Sequence, residues 1–438
     1  MQSNTLGSFE AKTSGLKTII PFLLYLLIYF LFFILDFESI ISYSIIYVSA
    51  SLSFIYLCRY IFNVHLFKNQ VYLLIVCGII LRITFLFFQP IGSDDYYRYL
   101  WDGKILANGI NPYQYSPADE ELIPFHSETL PEKVTFPHIK TIYPPLSQLL
   151  FYLSYSVGGE SFYGLKIFLF LFELASLWGL LLILRELKLP EKNILLYALA
   201  PLPVFQLFID AHLDGFGLTL IIFSILFYLK NKKIMSLIFI GLSICIKPLG
   251  LILIPIIFIM EKGIKIKLQT IIIPAITCIL IYLPFISAGT FEALLNFTVN
   301  WTFNGFIFEI INSFLNNNQS SRMICGILFL LTYIIIILSR LDFLNKVYLS
   351  IFFLLIFSPV VHPWYAVWLA VLLPFIPKWS GILFTTLISL TVFTILNYKL
   401  YGEWEDYPLV LILEYVPVLV VFLYELKNLK LKTYKRAK

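Results

Sequence analysis

Long apolar runs, broken at intervals by charged or Pro/Gly-rich stretches, dominate this chain. Runs near 17–35, 39–58, 70–88, 162–184, 193–209, 215–229, 234–246, 249–260, 267–287, 322–339, 346–357, 360–376, 380–397 and 408–426 are candidates for helices crossing the membrane, whose hydrocarbon is roughly 30 Å thick. The pattern predicts an all-α polytopic bundle of about fourteen spanning helices, some short or broken. Strand-forming residues are abundant, but the runs are continuous and do not alternate, which argues against an outer-membrane barrel. There is no internal repeat and no soluble-domain boundary, so residues 1–438 read as a single transmembrane domain.

One stretch breaks the pattern. Residues 89–145 carry eight prolines, several aromatics and an acidic run, GSDDYYRYLWDGKILANGINPY at 92–113. It is too long for a turn and too proline-rich to span, and its aromatics argue against disorder. The apolar run at 147–157 is too short to cross and stops at Gly158-Gly159. An interfacial or partly re-entrant helix is expected there, which makes 89–161 one long outer segment.

Composition supports the membrane reading: 60% of residues are hydrophobic and 13% charged, with mean hydropathy +0.88. The net charge of +5 is unevenly spread. Basic residues gather at alternate helix ends, at Lys12 and Lys17, Arg59 and Lys68, Arg185 with Lys188 and Lys192, Lys230 with Lys232 and Lys233, Lys262 with Lys265 and Lys267, Arg340 with Lys346, and 427–438. The positive-inside rule makes these cytoplasmic, with both termini inside, and turns the acid-bearing loops outward. The basic tail then serves topology and contact with anionic lipid, and no nucleic-acid partner is expected. The run at 18–35 is longer than a signal-peptide core and is expected to remain as an anchor. Five cysteines scattered singly through apolar runs suggest packing rather than disulfides or a metal cluster.

This topology, fixed by lysines elsewhere, places Asp94, Asp95, Arg98, Asp102, His212, Asp214, Lys247 and His362 at the outer side. Carboxylates, imidazoles and an ammonium at one interface suit glycosyl transfer from a lipid-borne phosphate sugar. A carboxylate takes the acceptor hydroxyl's proton, and Lys247, Arg98, His212 and His362 are available to meet the leaving phosphate. Each residue also has an ordinary use. Asp94 can cap a helix, Arg98 and Asp102 continue an i,i+4 ladder, His212 and Asp214 form turns, Lys247 can snorkel, and His362 can cap or pack. Arg82, inside a spanning run, is either a functional group or an ordinary one that snorkels or forms half of a structural ion pair.

The run SDDYYRYLWDGKILANGINPY resembles the first outer loop of GT-C-fold bacterial mannosyltransferases that use polyprenol-phosphate mannose. YPPLSQLLFYLSYSVGG, LSICIKPLGLILIP and SPVVHPWYAVW are similar to later elements of GT-C enzymes, in order from about Arg82 to Trp368. The resemblance implies an inverting hexosyltransferase of the bacterial cytoplasmic membrane with its site facing outward. It implies Asp94 or Asp95 as base and Lys247 near the donor phosphate. Arg98, His212, Asp214, His362 and Tyr143 are the remaining expected substrate contacts, with a polyprenyl-phosphate sugar as donor and a glycan or glycolipid as acceptor. No clear acidic metal pair stands in a second outer loop, and neither metal nor cofactor is expected. The rival functions are a polyprenyl-saccharide flippase, for which charges would line a conduit, and a non-catalytic scaffold.

Overall fold

The computed structural model describes residues 17–36, 38–287 and 289–427, so Lys12 and the basic tail beyond 427 lie outside the described residues. Among the described residues the regular secondary structure is helical, apart from one isolated bridge between Phe303 and Val360. This is the form that apolar runs take in lipid, where each backbone N–H and C=O must find its partner within its own segment.

By length and apolarity, seven helices among the described residues can cross a membrane, or eight if the bent pair Glu191–Ala198 and Pro201–Ile209 is one span. Six shorter apolar helices of 10–17 residues accompany them. The elements that position the site are α1 (Ile40–Asn63), α2 (Lys68–Phe85), α3 (Asp95–Ala107), α4 (Pro145–Gly158), α5 (Phe162–Glu186), α6 (Asp214–Leu229), α7 (Lys233–Ile244), α8 (Pro363–Ala370) and α9 (Pro408–Lys427). Capping follows the sequence: the Ser39 and Ser161 hydroxyls accept the Ile41 and Tyr163 amides at the starts of α1 and α5.

The long proline-rich segment is ordered by polar braces. Arg98 binds Asp102 at 2.8 Å and the Ile139 carbonyl at 2.8 Å, while Gln148 of α4 reaches Asp102 at 3.1 Å. Lys104 and Glu160 pair at 2.7 Å, and Glu160 also accepts from Ser127 and Thr129. Tyr99 stacks on Phe151 at 4.6 Å, which seats α3 on α4. The run expected at 147–157 is the 14-residue helix α4. At about 1.5 Å per residue it is too short to cross the hydrocarbon.

Arg82 is buried and structural. It binds Glu173 of α5 at 2.8 Å and the carbonyls of Gly78 and Ala198, and Tyr197 donates to the other oxygen of Glu173 at 2.9 Å. Removing one partner of such a pair leaves an uncompensated charge, so Arg82→Met is expected to destabilise the protein by roughly 3–5 kcal/mol. Joining it to Glu173→Leu is expected to recover most of that loss. Thermal unfolding in detergent checks both, and an unchanged midpoint for Arg82→Met alone would contradict the assignment.

Candidate active site

Asp95 is the first residue of α3, and its amide is held by the Ser93 hydroxyl at 3.2 Å. Its neighbour points elsewhere, as expected for successive residues at a helix start, roughly 100° apart. Asp94 pairs with Lys399 at 2.6 Å. Asp95 instead turns toward His212, with Oδ2 lying 3.7 Å from Nδ1, and Tyr99 one turn along α3 donates to the same oxygen at 3.5 Å.

Asp95 keeps about a third of its side-chain surface open (34%) while protein surrounds the rest of it. Burial pushes its pKa up to about 6, opposed by the Lys247 charge and assisted by those of Asp94 and Asp214. A carboxylate that is both reachable and poised near neutrality suits proton abstraction.

Lys247 stands in the break between α7 and the helical run that opens at Pro248. Its Nζ lies 2.7 and 2.8 Å from the two oxygens of Asp214 and 4.2 Å from the centre of the Tyr365 ring. Asp214, almost wholly buried, also accepts the Trp368 indole N–H at 2.6 Å. An ammonium has three donors, and Asp214 engages two of them. Lys247 retains 21% of its side-chain surface, so the group is both anchored and accessible to an incoming anion.

The imidazoles belong to a ring stack. Trp364 is stacked against His212 at 3.7 Å and against His362 at 4.2 Å, and His362 lies 4.5 Å from Phe303. Burial lowers the pKa of His212 well below the ordinary value, with Lys247 and His362 adding to the shift. Burial, then Lys247, takes His362 down to about 3. Both rings are therefore held in the neutral form at physiological pH, and neither supplies positive charge to the site. Both ring nitrogens of His212 lack hydrogen-bond partners, although the residue is fully buried.

Thus Asp95, His212, Asp214, Lys247 and His362 come together. Asp94 sits at the edge on Lys399. Arg98 and Asp102 instead brace α3 against the proline-rich segment. Tyr143 lies one ring away, edge-on to Tyr99 at 5.0 Å, and its carbonyl accepts the Tyr113 hydroxyl at 2.5 Å.

Sequence reasoning missed Trp364, Tyr365, Trp368, Tyr99 and Lys399. The PWYAVW run held a usable signal, because the i,i+4 spacing of Trp364 and Trp368 puts both indoles on one face of α8. Gly217 gives Trp368 its room, since a Cβ there would fall 2.6 Å from the indole.

A family model described as alpha-(1->6)-mannopyranosyltransferase, N-terminal domain, matches residues 39–262. That region holds Asp94, Asp95, His212, Asp214 and Lys247, whereas the aromatic wall of α8 lies beyond it. No curated protein matches the chain.

Proposed function

The chain belongs to the alpha-(1->6)-mannopyranosyltransferase family, a GT-C type mannosyltransferase family, and from that membership we propose that Asp95 and Lys247 transfer mannose from a polyprenyl-phosphate donor to a glycan or glycolipid hydroxyl. In this reading the site faces the outer side of a bacterial cytoplasmic membrane. The observation that carries it is that a partly open carboxylate and an anchored ammonium, on segments far apart in sequence, border one ring cluster: Asp95 lies against His212, which stacks on Trp364, and Lys247 lies over the neighbouring Tyr365.

The acceptor hydroxyl gives its proton to Asp95 as its oxygen forms the bond to the anomeric carbon. The bond from that carbon to the phosphate oxygen breaks, and its electron pair leaves with the polyprenyl phosphate. Lys247 turns its third N–H toward that oxygen, while Asp214 and Trp368 hold the ammonium in place. Inversion at the anomeric carbon requires the acceptor oxygen and the leaving phosphate to lie on opposite faces of the sugar, with Asp95 serving the first and Lys247 the second. His212, fully buried and stacked on Trp364, backs the Asp95 carboxylate from within the protein.

The base must be ionised to work, so activity requires a pH above the Asp95 pKa. At subsaturating donor, kcat/KM is expected to be flat at neutral pH and to fall about tenfold per unit below about 6. A pH–rate profile with radiolabelled polyprenyl-phosphate mannose tests this reading. An acid limb near 4, the ordinary carboxylate range, would count against a buried Asp95 as the base.

A further inference from the structure

A second set of buried polar groups lies behind the site, outside the transfer chemistry. Asp210 accepts the Tyr43 hydroxyl of α1 at 2.6 Å and the backbone N–H of Gly92 at 2.8 Å. Lys166 of α5 donates to the carbonyls of Phe85, at 3.1 Å, and of Phe88, where the chain leaves α2. These groups bracket residues 85–92, the hinge that leads directly into Asp95. Ala211 is held at φ +61°, a left-handed conformation uncommon for a residue with a side chain. The turn sends Asp210 back to the hinge while His212 faces Asp95.

We propose that Asp210, with Tyr43 and Lys166, is a positioning device that fixes the distance between Asp95 and the His212–Asp214 turn. This inference rests on the reading of Asp95 as the base. One carboxylate, two residues before His212 and four before Asp214, holds the backbone three residues before Asp95. It thereby ties two walls of the site together. The fit is close: a Cβ on Gly92 would fall 2.7 Å from both the Asp210 carboxylate and the Tyr43 hydroxyl. Gly92 is thus required by the clamp itself.

The test compares full-length Asp210→Ala, Asp210→Asn, Tyr43→Phe and Asp95→Asn with the native protein, using labelled polyprenyl-phosphate mannose. A displacement of the order of 1 Å lowers catalysis about 100-fold. Asp210→Ala is therefore expected to reduce kcat about 30- to 100-fold with donor KM within threefold of native. Asp210→Asn keeps an acceptor for the Gly92 amide and is expected to recover kcat to within about fivefold. Its acid limb stays near 6 because Asp95 remains in place.

In Asp210→Ala the limb moves down as the released base gains water, a change that loss of stability alone would not produce. If Asp210→Ala does not fold, Tyr43→Phe carries the test, with a few-fold loss of kcat at unchanged donor KM. Native kcat in Asp210→Ala, or in Tyr43→Phe when it stands in, alongside an inactive Asp95→Asn would overturn the clamp and leave the base assignment intact. Full activity in Asp95→Asn would overturn both.

Discussion

Lys247→Met is expected to reduce mannosyl transfer about 100- to 1,000-fold, because it removes the ammonium that Asp214 anchors in the cluster. The single variant also strips Asp214 of its counter-ion and leaves a buried carboxylate with only the Trp368 N–H. Lost folding would then be confused with lost chemistry, and the double variant Lys247→Met with Asp214→Asn separates the two. An asparagine carbonyl still accepts from Trp368 and no charge is stranded, so thermal stability is expected to return close to native. Transfer is expected to stay at the level of the single variant. A double variant working within tenfold of native would show that the ammonium does not meet the leaving phosphate.

Asp95→Asn is expected to lower kcat by about 100- to 10,000-fold, the span of a lost general base. The amide is nearly isosteric and keeps one acceptor for Tyr99, so stability and donor binding change little. Asp94→Asn removes the ion pair with Lys399, an exposed contact of small energetic weight. It is expected to retain activity within about fivefold. The contrast follows from the helix start, where one carboxylate turns to Lys399 and the next to His212.

Much of the fold was legible because lipid leaves few choices. Continuous apolar runs must become helices, and lysine placement gave an expected side for every turn. The class of bundle and the short helix after the Pro-Pro-Leu element followed from those rules. The choice between Asp94 and Asp95 was illegible because it depends on the facing of one helix start toward Lys399 and His212, respectively 305 and 117 residues away in sequence. The ring stack of His212, Trp364, His362 and Phe303 was hidden for the same reason, since each aromatic alone reads as an interfacial anchor.

Charge state was the other hidden quantity. His212 and His362 look like available cations in sequence, but burial beside Lys247 keeps them neutral. Arg98 looks like a phosphate ligand, yet Asp102 at i+4 and the Ile139 carbonyl engage it. Arg82, which inside a spanning run reads as a candidate functional group, is closed in a pair with Glu173. Lys247 thus stands as the cation of the assembled cluster, and Asp95 as its partly open acid.

The most direct test is transfer of labelled mannose from polyprenyl phosphate in membranes carrying Asp94→Asn or Asp95→Asn, at matched protein levels. The assigned geometry predicts near-native transfer by Asp94→Asn and a loss of at least about 100-fold in Asp95→Asn. Undiminished transfer by Asp95→Asn, or the reverse order of the two variants, would contradict it.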